Sequence, residues 1–137
     1  METVTIDHIG IAVRSIDEAL GMYRDALGLD PVSRTVVEHE RVEAAVLPTG
    51  GGRIELLQPT SDDSVIARFL RRRGQGVHHV ALRVDNLEEA IETLRNSGRR
   101  LVTDRIQIGA EGYRYVFVHP GSTGGVLLEL VERDRRQ

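Results

Sequence analysis

The sequence nearly repeats itself, and a chain built from two copies of one unit has few folds open to it. Ile6-Asp7-His8-Ile9-Gly10-Ile11-Ala12-Val13 corresponds to Val77-His78-His79-Val80-Ala81-Leu82-Arg83-Val84. In each copy an alternating apolar strand gives way to a helical period. The apolar positions are Ile16, Ala19, Leu20, Tyr23 and Leu27 within 15–28, and Leu87, Ala90, Ile91 and Leu94 within 86–98. Ser15 or Asp17 and Asp85 or Asn86 are candidate N-caps, and Gly28 and Gly98 supply C-terminal stops.

Three apolar segments bounded by turn residues follow each helix and read as strands: 30–37, 42–47 and 53–58 in the first copy, 100–103, 114–119 and 126–132 in the second. The last two strands of each copy are joined by glycine-rich turns, Pro48-Thr49-Gly50-Gly51-Gly52 and Pro120-Gly121-Ser122-Thr123-Gly124-Gly125. A short helix over 64–73 lies between the copies, with Asp62 or Asp63 near its start and three arginines at its end, which suits the helix dipole. The pattern predicts two βαβββ modules, 4–59 and 76–133, joined by a linker over 60–75 within a single domain spanning 1–137.

Composition narrows the chemistry. At 137 residues the chain can bury one sizeable core, and no apolar run approaches the roughly 20 residues that cross a bilayer. The polar start METVTIDH lacks the basic and apolar regions of a signal peptide, so a cytoplasmic protein is expected, without a membrane partner. With no cysteine, thiolate-bound metal, iron–sulfur clusters and cysteine nucleophiles are excluded, and any metal must be held by His, Asp, Glu or neutral oxygens. All 18 basic residues are arginine, which removes lysine Schiff-base chemistry. A net charge of −3 and 4% aromatic content give no footprint for nucleic acid.

Placed in register, the two copies align their chemically capable residues. His8 and His79, 71 residues apart, lie on the first strands, and Glu55 and Glu129, 74 apart, lie on the last. Each glutamate sits among apolar neighbours, in Arg53-Ile54-Glu55-Leu56-Leu57 and Leu127-Leu128-Glu129-Leu130-Val131, where a buried charge needs a partner. Singly, each residue has an ordinary explanation: a structural histidine on a strand, or a glutamate on the solvent side of an alternating one. The recurrence at equivalent points of two copies changes the weighing. Two imidazoles and two carboxylates suit a divalent cation with positions left open for water or substrate.

These residues also carry a resemblance that covers nearly the whole chain. The repeated module, the early His, the second His after the linker and the Glu of the last strand resemble the vicinal oxygen chelate superfamily of glyoxalases, bleomycin resistance proteins and dioxygenases. Within it the likeness is strongest to the methylmalonyl-CoA epimerase family. It is carried by residues 6–13, Ile54-Glu55-Leu56-Leu57-Gln58-Pro59, Gly76-Val77-His78-His79-Val80-Ala81, Phe117-Val118-His119-Pro120 and Gly125-Val126-Leu127-Leu128-Glu129-Leu130. The resemblance implies an α+β fold in which the two modules form a curved mixed β-sheet around a metal site, helices outside. It further implies an isomerase that interconverts (2R)- and (2S)-methylmalonyl-CoA by removing and returning the α-proton through a metal-stabilised enolate. The implied metal ligands are His8, Glu55, His79 and Glu129, with Co2+ favoured and Zn2+, Ni2+, Mn2+ or Mg2+ as alternatives. The implied partners are an acyl-CoA substrate and a second copy of the chain in a homodimer.

Strand alternation separates His79 from His78 and Glu55 from Gln58, leaving His78 and Gln58 outside the ligand set. Epimerisation also needs a proton acceptor on each side of the α-carbon. The resemblance implies Glu129 for one, and for the other a glutamate that falls best on Glu43, with Glu38 and Glu40 as competitors; Arg41 stands where the family often has Gly. Arg71, Arg72 and Arg73 are either coenzyme A contacts or a solvated helix end. His119 is a candidate for the pocket rim. Gly109-Ala110-Glu111-Gly112 resembles a substrate-side loop of the family and carries no phosphate-binding fingerprint. Two other readings use the same fold: a glyoxalase I-like lactoylglutathione lyase, and a metal-free protein that binds small molecules such as antibiotics. An extradiol dioxygenase ranks below them, because two His and one carboxylate on iron leave Glu55 without a role.

Overall fold

The computed structural model describes residues 4–133. The chain is α+β, and its residues fall into two compact units, His8–His78, and residues 4–7 with 79–133. Among the described residues no helix is long and apolar enough to cross a membrane.

In the first unit the part of β1 (Thr5–Ala12) from His8 onward runs parallel to β4 (Arg53–Pro59), which pairs antiparallel with β3 (Val42–Pro48), which pairs antiparallel with β2 (Ser33–Val37). Helix α1 (Ile16–Leu20) begins where the Ser15 hydroxyl accepts the Glu18 amide at 3.1 Å, so the choice between Ser15 and Asp17 falls to Ser15. It packs Ile16 and Leu20 on Val13, Ala45, Leu47 and Leu56, covering one face of the sheet. Beyond it the chain widens into a π-helical turn, Gly21–Ala26, with Leu27 N donating to Met22 O. The wider turn rotates Leu27 off the apolar stripe that the sequence assigns to it, and Leu27 is 58% exposed. Helix α2 (Val65–Arg73) is capped by Ser64, whose hydroxyl accepts the Ala67 amide at 3.0 Å.

In the second unit β5 (Gly76–Arg83) runs parallel to β8 (Leu128–Glu132), β7 (Arg114–Val118) lies antiparallel to β8, and β6 (Gln107–Ile108) lies antiparallel to β7. Helix α3 (Leu87–Asn96) starts at Asn86, whose side-chain Oδ1 accepts the Glu89 amide, and packs Leu87 and Ile91 against Val84, Val116, Val118 and Leu130. The strand expected over 100–103 is reduced to one bridge, Leu101 with Val118. The antiparallel edge of β7 is shared: Leu101 takes its Val118 end and β6 takes Arg114 and Tyr115. β8 begins two residues later than expected, because the Val126 amide is used by the Thr123 hydroxyl and Gly124 and Gly125 turn at positive φ.

Candidate metal and substrate site

The face of each sheet that its helix leaves uncovered carries one imidazole and one carboxylate. In the first unit His8 Nε2 lies 3.4 Å from Glu55 Oε2, and in the second His79 Nε2 lies 3.2 Å from Glu129 Oε1. The sequence produces each pair in the same way. The Glu strand runs parallel to the His strand, and apolar neighbours at i±1 turn to the helix, so alternation turns the Glu to the other side. All four residues are buried, at 0% and 3% exposure for His8 and Glu55 and 5% and 2% for His79 and Glu129.

The donor set fits a divalent cation. Two ligands each about 2.1 Å from one tetrahedral or octahedral ion sit roughly 3.0–3.4 Å apart. The imidazole-to-carboxylate separations within the two pairs, 3.4 and 3.2 Å, match that spacing. Nitrogen and carboxylate donors without sulfur suit Co2+, Zn2+, Ni2+ and Mn2+.

The neighbours of the two histidine–glutamate pairs have other partners. Gln58 Oε1 accepts the Ile16 amide at 2.8 Å and so holds the start of α1 on the helix side of β4. His78 stands edge-on to Phe69 of α2, with ring centroids 5.1 Å apart. His119 Nδ1 accepts the Gly121 amide at 2.9 Å and shapes the turn before β8, with Arg100 Nη2 3.3 Å away. Arg71 donates to the Asp62 carbonyl, and Arg73 lies 5.9 Å from the centroid of Phe69. Gly109 is required by a close approach: a Cβ there would fall 2.6 Å from the ring of Tyr113.

Glu43 is not brought together with His8 and Glu55. Its direct partner across the β3–β4 ladder is Gln58, which faces α1, whereas Glu55 pairs with Val46. Glu43 therefore lies on the helix side, where Arg34 holds it at 3.0 Å while also reaching Asp17 of α1 at 2.6 Å. The β3 residue on the face of Glu55 is Ala44, across from Leu57. Glu43, expected as the first base with Glu38 and Glu40 as competitors, thus lies on the strand face opposite Glu55: a one-residue step along a strand reverses the face. Glu38 and Glu40 lie in a 3-10 turn between β2 and β3, and Arg41, next to it, takes the left-handed conformation that explains the glycine usual there.

Two features of the second unit were not anticipated from the sequence. Three of the five aromatic residues of the chain form a ladder on the ligand face of β7. Phe117 is edge-on to His79 at 5.4 Å, Tyr115 lies 5.6 Å from Phe117, and Tyr113 lies 5.7 Å from Tyr115. Their alternation at 113, 115 and 117 was the available signal. The ladder ends on Arg133, whose guanidinium lies 4.6 Å from the centroid of Tyr113. Arg133 donates to both carboxylate oxygens of Asp7, at 2.8 and 3.0 Å, with both side chains 1% exposed. Burial opposes the Arg133 charge, yet the Asp7 hydrogen bond and charge outweigh it and raise the guanidinium pKa. Nothing local in the sequence joins residues 126 positions apart.

Known proteins are similar to this chain in sequence and fold. YqjC of Bacillus subtilis, an uncharacterized protein, is 38% identical over 93% of this chain and 91% of its own. The mitochondrial methylmalonyl-CoA epimerase of Mus musculus is 35% identical over 91% of this chain and 71% of its own. The crystal structure of methylmalonyl-CoA epimerase from Mycobacterium tuberculosis superimposes with a TM-score of 0.90 at 38% identity, over 96% of this chain and 89% of that one. A methylmalonyl-CoA epimerase in complex with methylmalonyl-CoA and NH4+ superimposes at 0.89 and 34%, over 95% and 94%. The family described as the Glyoxalase/Bleomycin resistance protein/Dioxygenase superfamily matches residues 7–117. With the module, its repetition and its histidine–glutamate pairs all in place, the chain belongs to that superfamily.

Proposed function

We propose that the protein is a metal-dependent isomerase acting on acyl-CoA thioesters, which interconverts (2R)- and (2S)-methylmalonyl-CoA. The observation that carries this reading is the buried imidazole–carboxylate pair occurring once in each unit at the spacing of adjacent metal ligands. The names of the mouse and Mycobacterium tuberculosis relatives support the substrate class.

His8, Glu55, His79 and Glu129 would hold the cation, one histidine–glutamate pair coming from each unit. Bound there, the cation would supply Lewis-acid stabilisation of the negative charge that develops on the thioester oxygen as the α-proton leaves. The remaining work falls to the chain. The two histidines present imidazole nitrogen donors, and burial keeps competing water from the carboxylates. Glu129 removes and returns the α-proton on its side of the substrate. Glu43 faces α1, so the proton carrier on the other side is a different group.

Proton NMR of methylmalonyl-CoA in deuterated water tests the reading, with and without added Co2+ and alongside a glutathione–methylglyoxal assay. The expected result is metal-dependent loss of the α-proton signal that disappears in His8→Ala. Turnover of the hemithioacetal without exchange would instead identify a lactoylglutathione lyase. No stoichiometric metal after reconstitution would identify a metal-free binding protein of the same fold.

A further inference from the structure

Each unit places an apolar residue directly across the ladder from its ligand carboxylate. In the first it is Val46 opposite Glu55, and in the second Phe117 opposite Glu129. They differ in what a ligand could touch. Val46 has no exposed surface, whereas Phe117 is only partly buried although both members of its ligand pair are covered. The Phe117 ring also stands at 84° to the His79 ring, 5.4 Å between centroids, on the ligand face of β7. Tyr115 fixes its other side at 5.6 Å, edge to face, and is itself 1% exposed with its hydroxyl donating to Gln107 Oε1 at 2.8 Å. The wall is therefore backed by a buried ring, and the partly exposed Phe117 stands next to His79 and across the ladder from Glu129.

A 2-substituted malonyl thioester offers this surface one fitting group. Its two carbonyl oxygens are polar and seek a cation or donors; its α-substituent is the apolar part of the acyl head. When the α-proton leaves, the carbon becomes planar and the substituent stays in that plane while protons come and go above and below it. One wall can thus receive the substituent of both epimers. Resting on the acyl-CoA reading above, we propose that Phe117 is the specificity-determining residue of this enzyme, the wall that sets the length of the α-substituent it accepts.

An apolar pocket commonly separates ligands differing by one methylene by about 10–200-fold. Ethylmalonyl-CoA is the probe, assayed beside methylmalonyl-CoA by α-proton exchange in deuterated water, and the readout is the ratio of the two kcat/KM values. Phe117→Leu shortens the wall and is expected to raise the ethyl-to-methyl ratio by about tenfold or more. Phe117→Trp lengthens it and is expected to move the ratio the other way, which keeps the test decisive if the leucine variant does not fold. A ratio that stays put while both kcat/KM values fall together would overturn the proposal, since that is the signature of a ring that merely supports His79. If the wild-type protein exchanges neither substrate, the acyl-CoA reading fails and this proposal with it; exchange with an unmoved ratio sinks the proposal alone.

Discussion

The two units repeat the parts that would hold a metal and differ in the parts that would meet a substrate. The repetition extends to individual hydrogen bonds. Val13 N donates to Leu57 O at 2.9 Å and Val84 N to Val131 O at 2.9 Å, while the first helical amide, Ile16 or Leu87, is held by the side chain of Gln58 or Glu132 at 2.8 Å. An arginine from a neighbouring strand reaches the first turn of each helix, Arg34 to Asp17 and Arg114 to Glu88. These contacts lie on the helix face and fix the strand that carries the ligand on its other face. Across that other face the units diverge: Val46 in one, the ladder of Phe117, Tyr115 and Tyr113 ending on Arg133 in the other. A duplicated scaffold thus supplies one buried histidine–glutamate pair per unit, and the aromatic ladder is written into one copy.

The largest expected effect breaks the equivalence of the two glutamates. Glu129→Gln should leave a metal-binding protein in which α-proton exchange falls by roughly 10²–10⁴-fold, the usual worth of a general base. Glu55→Gln should keep the metal and most of the exchange, since a Gln amide oxygen is still a ligand; metal analysis and exchange rates on the same preparations decide. Equal losses in both would mean that the carboxylates share the proton work. Glu43→Gln belongs to the same series and should leave exchange close to wild type, because Glu43 serves Arg34 on the helix face.

Next in size is the buried Asp7–Arg133 ion pair of the second unit. Removing one partner of such a pair leaves an uncompensated charge and costs about 3–5 kcal/mol. Asp7→Asn, measured by urea denaturation, should therefore fall in that range. Double replacement by apolar residues of similar volume should cost much less than the sum of the single changes. Smaller again are the helix caps. Gln58→Ala should cost about 0.5–2 kcal/mol, as other N-terminal capping losses do. Glu132→Ala should cost more than Gln58→Ala, because Glu132 also accepts from Arg114 at 2.6 Å.

What was legible in the sequence is what repeats. The offsets of 71 and 74 residues that join His8 to His79 and Glu55 to Glu129 also join Ile16 to Leu87 and Gln58 to Glu132, so the caps were within reach of the same comparison. Strand identity followed from turn residues and alternation, and failed where an edge is shared, as at Leu101 and β6. The face of Glu43 was not legible, because the segment before β3 offers acidic residues at 38, 40 and 43, and composition alone does not set the phase of a strand. Register does, and the pairing of Glu43 with Gln58 is a tertiary fact. The Asp7–Arg133 pair and the packing of Tyr113 on Arg133 join segments remote in sequence and absent from the first copy, so neither pattern nor repetition announced them.

The smallest effects concern the turn where the first unit departs from its family. Arg41 holds φ 55° and ψ 49°, a left-handed conformation that strains any residue with a Cβ, and its side chain is tied to Asp63. Arg41→Gly removes the strain and the ion pair together, and also gives the unfolded chain more freedom, so its stability change should be small. Asp63→Asn isolates the ion pair. The hydrogen bond from Arg41, seconded by Ser61, lowers the Asp63 pKa from 3.8 to about 2. A depressed carboxylate pKa stabilises the fold above its unfolded value and loses that contribution as pH falls through its folded value. The wild-type protein should therefore exceed Asp63→Asn slightly in denaturation midpoint at pH 6, with the gap closing as pH falls from about 4 to about 2. Because both side chains are solvent-exposed, salt should shrink the gap at pH 6 as well; a gap indifferent to both pH and salt would assign the effect to the turn backbone instead.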